Sequence, residues 1–269
     1  MSATDAPQQV ANSPWVERLG RVGLVAKAAI YGIIGALALA IPLGLGGKAT
    51  DRQGALRTVA QQPFGEVLLF ALAAGFAGYA FWRFVQAFLD RDDEGTGPKG
   101  LAKRVGYFAR GLLYAASAFV ALALVVGIGS GGGDETEETA KVLDLPFGRW
   151  VVGAAGLGFL AAGAYNLYRS LTKKFRKHLR EHEMGNTERR WAIVVGVVGH
   201  AARAVVFGLI GAFLVKAALG YDPQEAIGID GALRKVAQQP YGEVLLGAVG
   251  AGLLAYAVYC LAQARYREV

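Results

Sequence analysis

The sequence has one cysteine, Cys260, which excludes an intrachain disulfide and a cysteine-built metal site. Histidine is nearly as scarce, with three among 269 residues. The amino-terminal stretch MSATDAPQQVANSP has no apolar core. No cleavable signal peptide is therefore expected, and the first hydrophobic block acts as its own insertion signal. Carboxylates are missing from the interior of every hydrophobic block, which removes the usual carriers of proton- or sodium-coupled transport. No nucleophile elbow, phosphate-binding loop, dinucleotide fingerprint or zinc motif occurs. The chain is accordingly read as a non-enzyme with no cofactor and no metal.

What the chain has is apolar residue, 54% of it, gathered into six blocks that are apolar all round the helix. They run Gly20–Leu45, Phe64–Leu89, Val105–Ile128, Phe147–Leu171, Trp191–Leu219 and Tyr241–Ala264. Each holds the roughly 20 residues a helix needs to cross a bilayer. Trp15, Trp82, Trp150 and Trp191 all fall near block ends, where indole rings favour the headgroup level. The net charge of +7 is assigned to connectors on one membrane face and not to nucleic acid. The connectors on the side of the termini carry roughly twice as many lysines and arginines as the others, which places both termini in the cytoplasm. The expected location is the plasma membrane, crossed several times.

Internal similarity organises the blocks into pairs. GALRTVAQQPFGEVLL (Gly54–Leu69) returns as GALRKVAQQPYGEVLL (Gly231–Leu246), and the middle of the chain keeps LPFGRWVVG (Leu145–Gly153). The first helix of each pair carries a second motif, G-x-x-A-K/R-x-x-x-Y/F, at Gly23–Tyr31, Gly106–Tyr114 and Gly199–Phe207. The two motifs keep their spacing to within one residue. Each unit holds two spans, so all three insert the same way up. The expected fold is an all-α membrane protein of six transmembrane helices, built as three parallel two-helix repeats in a pseudo-threefold bundle. Its expected parts are a disordered cytoplasmic tail (1–16), repeat one (17–90), repeat two (101–172), a basic cytoplasmic connector (173–190) and repeat three (191–265). Before each P-F/Y-G turn a short interfacial half-helix is expected, with Asp51 as the cap of the first and the third repeating this around Asp230. The middle unit has the acidic stretch GSGGGDETEETAK there.

These motifs resemble the domain-of-unknown-function family numbered twelve-oh-six, bacterial and archaeal membrane proteins described as three copies of a pair of transmembrane helices. The resemblance spans nearly the whole chain and implies a prokaryotic membrane protein; it carries no activity with it. The middle unit departs most, lacking GALR and putting Arg149 where the others have glutamate.

Two sets of repeat-equivalent charges are candidate sites. Lys27, Arg110 and Arg203 stand at one point of the odd-numbered spans, where a cation inside a bilayer needs a reason. They are either snorkelling cations or a site for an anion or a lipid headgroup. Glu66, Arg149 and Glu243 follow the P-F/Y-G glycine, and their opposite signs fit ion pairing between repeats. Arg83, Gln86, Asn166, Arg169 and Gln263 recur near the inner ends of the even-numbered spans, as interhelical hydrogen-bonding groups or part of a polar vestibule. His178 and His182 lie four apart on an expected basic helix, Thr172–His182, read as a solvated face that touches anionic headgroups. Small residues at four-residue spacing, such as Gly32 with Ala36 and Ala154 with Gly158, predict close helix packing.

Three classes stay open: a non-enzymatic packing module that interacts with lipids, a membrane partner or a second copy; an anion or small-solute channel or transporter; and, last, a membrane enzyme.

Overall fold

The computed structural model describes residues 14–47, 49–90, 92–127, 140–220, 222, 226–227 and 229–266. The tail expected to be disordered and the acidic stretch of the middle unit lie almost wholly outside them. The described chain is all-α: α1 (Pro14–Ala40), α2 (Arg52–Ala60), α3 (Gly65–Phe88), α4 (Pro98–Val125), α5 (Gly148–Thr172), α6 (Asn186–Gly220), α7 (Ile229–Ala237) and α8 (Gly242–Tyr266). Six of these are long and apolar enough to cross a membrane. They are the six spans read from the sequence, so the protein is a multi-pass membrane protein in contact with the bilayer. The remaining two, α2 and α7, are the half-helices of the outer repeats, and residues 140–143 are helical before the middle turn.

The span ends moved for local reasons. The first span stops at Ala40, because Pro42 follows and Gly44 and Gly46 take positive φ. The third starts earlier than expected, with Pro98 in its first turn, where a missing N–H costs nothing. Asp51 caps α2 as expected, its Oδ1 accepting the Gly54 N–H at 2.7 Å. Asp230 does not repeat this role. It lies inside the first turn of α7 and pairs with Arg234 at 3.1 Å.

All three P-F/Y-G turns have one geometry. Phe64, Phe147 and Tyr241 hold φ of 62°, 67° and 61°. Left-handed backbone at a bulky residue costs on the order of 1–3 kcal/mol. The glycine that follows donates its N–H to the carbonyl three residues back, in Gln62, Leu145 and Gln239, at 2.9, 2.8 and 2.7 Å. A Cβ on that glycine would strike a carbonyl of the preceding short helix, at Ala60, Val142 or Ala237.

The chain divides into two compact units. The first comprises Met1–Ala29, Leu56–Ser130 and Cys260–Val269, the second Ile30–Ala55 and Gly131–Tyr259. In the first, α1 meets α3 with no room for a side chain: a Cβ on Gly23 would come 2.8 Å from the Tyr79 Cα, and one on Gly75 would come 2.7 Å from the Ala26 Cβ. Trp82 fills the space beside Gly20 and is 1% exposed, so it is a core residue and not a headgroup anchor. Trp15, Trp150 and Trp191 are exposed. The α3 and α4 helices pack with Phe84 against Gly111.

The second unit repeats this grammar. A Cβ on Gly199 of α6 would lie 2.6 Å from the Tyr256 Cα of α8, and Gly252 meets Ala202 as Gly75 meets Ala26. Gly35 and Gly250 face each other between α1 and α8, and Gly156 and Gly211 do so between α5 and α6. Crossings this close give many dispersion contacts where lipid offers no hydrophobic gain on association. In the middle repeat the corresponding Gly158 has nothing within 4 Å.

The basic connector is not an α-helix. Lys173 takes φ of 53°, and two short 3-10 turns follow, Lys174–His178 and Glu181–Glu183. After the break Phe175 and Leu179 are buried, at 0% and 6% exposure. The expected i, i+4 histidine face is lost with the helix. His182 is exposed, and the His178 side chain lies outside the described residues.

Candidate functional site: two tyrosine-centred cation cages

Each outer repeat buries a tyrosine on its second span, Tyr79 of α3 and Tyr256 of α8, at equivalent positions beside the G-x-x-A motif. The motif's glycine and alanine make the room, and its cation meets the ring. In the first unit the Lys27 Nζ lies 5.8 Å from the Tyr79 ring centre. In the second the Arg203 guanidinium lies 4.4 Å from the Tyr256 ring, 4.7 Å from Phe207 and 5.4 Å from Tyr31. Both cations are half-buried, and contact with such a face is worth about 0.5–2 kcal/mol, which offsets part of their burial. The motif's terminal aromatic also packs edge-on against these tyrosines: Tyr114 on Tyr79 at 4.5 Å, and Tyr31 on Tyr256 at 4.8 Å.

Each tyrosine hydroxyl accepts a hydrogen bond from one guanidinium, delivered from different helices. Arg203 Nη1 donates to the Tyr256 hydroxyl at 2.5 Å from the odd-numbered span. Arg83 Nη2 donates to the Tyr79 hydroxyl at 2.5 Å from the same helix, one turn on. Where repeat three has Arg203, repeat one has Lys27; where repeat one has Arg83, repeat three has Cys260. The middle repeat has Ala162 in place of the tyrosine and Asn166 in place of Arg83. Asn166 donates to the Ala162 carbonyl at 2.7 Å.

Arg83 is the buried charge of the first unit, 5% exposed and framed by the rings of Tyr79, Trp82 and Tyr107. Its Nη1 donates to Gln86 Oε1 at 2.7 Å. Gln86 Nε2 donates to the Asp92 carboxylate at 2.9 Å, and the Tyr107 hydroxyl donates to the same carboxylate at 2.9 Å. The balancing anion thus stands one amide away, on the loop between α3 and α4. Glu94 extends the network to an ion pair with Lys103. Arg104 closes the end of α3, donating to the carbonyls of Ala87 and Phe88 at 2.7 and 3.1 Å. The hydrogen bonds of the even-span polar groups named from the sequence are mostly intrahelical, with Gln86 to Asp92 the link between elements.

In the second unit His200 is fully buried, its Nδ1 2.7 Å from the Gly196 carbonyl. It stacks on Phe175 at 5.0 Å and meets Tyr256 and Tyr259 edge-on. Phe175 therefore pins the basic connector against the histidine and tyrosines of α6 and α8. Outside the spans, Arg176 grips Glu181 with two bonds of 2.6 and 2.7 Å. That contact holds the Glu181 carboxyl below its ordinary pKa and raises the pKa of Arg176.

Of the other candidates, Arg110 is exposed, with its guanidinium 5.7 Å from the Tyr107 ring. Glu66 and Glu243 are exposed in the first turns of α3 and α8, where a carboxylate complements the helix dipole. Arg149 is exposed and lies over Trp150 at 5.4 Å. Open surface hollows lie at Asp144, Phe147, Arg149 and Trp150, of about 380 Å³, and at Thr172, Lys173, Lys174, Lys177 and His182, of about 700 Å³. Lys27, Arg110 and Arg203 line neither.

Tyr79, Tyr256, Asp92 and Tyr107 were not singled out in the sequence. The signal that finds them is the shared spacing Gly75-x-x-x-Tyr79 and Gly252-x-x-x-Tyr256 in the even-numbered spans.

A family model described as Domain of Unknown Function (DUF1206) matches residues 22–90, 105–173 and 198–267. An uncharacterized protein of Bacillus subtilis (strain 168), YxxB, is 35% identical over 256 residues, covering 95% of this chain and 93% of the relative. No solved structure matches the chain.

Proposed function

The chain belongs to the DUF1206 family, and on that premise we propose that it is a non-enzymatic helix-packing module of the prokaryotic plasma membrane. Both termini face the cytoplasm, and the inner surface holds anionic lipid headgroups. The connector lysines Lys173, Lys174 and Lys177 make the main contact, with Lys27, Arg110 and Arg203 as the cations nearest the same headgroup level. The observation that carries this reading is the packing of the half-buried Lys27 and Arg203 against tyrosine rings at crossings too tight for a methyl group. A conducting path needs wetted cations, and an enzyme needs reacting groups in reach of substrate. The open hollow on the connector carries three lysines, is held in place by the buried Phe175, and offers positive charge to a phosphate-bearing headgroup. Pairing of Arg149 with Glu66 or Glu243 belongs to the same proposal, as a lock between repeats near the opposite face. A membrane partner or second copy would use the apolar span faces.

Reconstitution decides between the module and its rival, an anion path along Lys27, Arg110 and Arg203. Proteoliposomes of wild type are expected to show no chloride or phosphate flux above empty vesicles. Native mass spectrometry is expected to show retained phosphatidylglycerol, reduced when Lys173, Lys174 and Lys177 become Gln. Flux in the wild type that disappears in Arg203→Ala would make the protein an anion channel or transporter instead.

A further inference from the structure

We infer that Phe64, Phe147 and Tyr241 are anchors that seat the P-F/Y-G turns in the headgroup–acyl boundary of the membrane face opposite the termini. The inference uses the six-span topology and is independent of which face is cytoplasmic and of the connector's lipid.

Four observations bear on it. Each aromatic occupies a left-handed backbone position, which glycine would hold without strain. Each is almost fully exposed, at 83%, 78% and 85%, so the protein itself does not repay that strain through contacts with the ring. The arrangement survives in the middle repeat, which has lost GALR and the glutamate, so it outlasts the rest of the motif. Finally, each aromatic lies where polarity changes. Behind it stand the exposed Gln61 and Gln62, Asp144, or Gln238 and Gln239; ahead of it the span opens with exposed apolar residues, Val67 and Leu68, Trp150 and Val151, or Val244 and Leu245.

A bulky ring kept three times where glycine is locally better must act on something outside the chain. Its position at the first turn of a spanning helix identifies what that is. Tyrosine partitions to the boundary between headgroups and acyl chains, and phenylalanine buries its ring on the acyl side of that boundary. Connectivity puts all three turns, which join spans one to two, three to four and five to six, on one face of the bilayer. They form three equivalent contacts with a surface and not one specific epitope. A docking protein would single out one turn and leave the others free to become glycine.

The experiment places trifluoromethyl-phenylalanine singly at Phe64, Phe147 and Tyr241 of the full chain in phosphatidylcholine nanodiscs. Fluorine relaxation is compared between a lipid with a nitroxide near its headgroup and a water-soluble nickel chelate. Stronger relaxation by the lipid nitroxide at all three positions is the expected result; stronger relaxation by the chelate at any of them overturns the inference. A triple variant, Phe64→Gly with Phe147→Gly and Tyr241→Gly, separates anchoring from folding. In detergent its melting temperature is expected not to fall, since the backbone strain is relieved. In nanodiscs, amide protection of α2 and α7 is expected to be lost. A lowered melting temperature in detergent, or unchanged protection in nanodiscs, rejects the anchoring role.

Discussion

At the scale of single residues, the motif glycines set the geometry that everything else uses. Gly23 and Gly199 let a tyrosine-bearing helix approach until the missing Cβ would sit 2.8 and 2.6 Å from the Cα of Tyr79 and Tyr256. A methyl group there meets backbone and cannot be absorbed by a rotamer change. Gly23→Ala and Gly199→Ala are expected to destabilise the protein by about 1–3 kcal/mol each, the usual cost of overpacking. Gly158→Ala, at the middle-repeat counterpart of Gly75 and Gly252, where a Cβ would meet nothing within 4 Å, is expected to be neutral or to stabilise by about 0.5–1 kcal/mol through helix propensity. Thermal unfolding in one detergent compares the three, and equal effects at all three sites would remove the packing explanation. How far the residues could be read from sequence follows from what a repeat reveals. The repeated G-x-x-A and its cation could be located because three copies align. The purpose of the motif could not, because its partner is a tyrosine some 50 residues away whose own copy is missing from the middle unit. Trp82 was misplaced for a related reason: nearness to a span end suggests a headgroup anchor, yet Gly20 opens a slot that takes its ring inside.

At the scale of elements, the connector after α5 shows how burial overrules pattern. Its sequence is basic enough to be taken for a solvated helix, but Phe175 and Leu179 are buried and tie it down. The chain breaks at Lys173, just before them. Phe175→Ala is expected to cost about 3–5 kcal/mol of packing and to loosen the lysine-lined hollow while the spans persist. Hydrogen exchange across residues 173–185 reads the loosening, and unchanged exchange there would show that the cation cluster, not the ring, holds the connector. The Arg176–Glu181 pair adds a pH dependence whose sign follows from its shifts. Glu181 has a folded-state pKa lowered from its ordinary 4.5, chiefly by its hydrogen bonds to Arg176. Its contribution to the ordered connector is therefore fully present above that ordinary value and fades as pH falls through the lower folded one. Arg176, with its pKa raised, keeps its charge across the same window. Connector exchange is expected to quicken below about pH 4.5 in the wild type, and Glu181→Gln is expected to flatten that response. A response that persists in Glu181→Gln would assign it to another carboxylate. The same scale holds the proposed lock between repeats. Reversing the charge of Glu66 or Arg149 alone is expected to lower stability, and reversing both to restore it. A double variant no better than either single one would leave these charges as separate interfacial groups.

At the scale of the whole molecule, the six-span pattern and charge asymmetry make a prediction that needs no knowledge of activity. The lone cysteine is unsuited to report it. Cys260 is 0% exposed, buried on α8, so an impermeant thiol reagent is expected to miss it from either side of the membrane. That silence makes the wild type a clean background. A cysteine introduced at Lys177, exposed on the connector, belongs on the face with the denser lysine and arginine; one at Gln61, exposed before the first P-F/Y-G turn, belongs on the other. On intact cells Gln61→Cys is expected to react with the impermeant reagent and Lys177→Cys to stay unlabelled until the membrane is opened. Labelling in the reverse order would put the termini outside. It would also set the lysine-lined hollow against the outer leaflet, and so take away the cytoplasmic headgroup proposed as its ligand. The outer-repeat cages would survive that reversal, because tyrosine rings and glycine crossings stabilise Lys27, Arg83 and Arg203 whichever way the helices point. Topology and packing are thus separable in this protein: charge outside the spans chooses the direction of insertion, and small residues within them choose the partners.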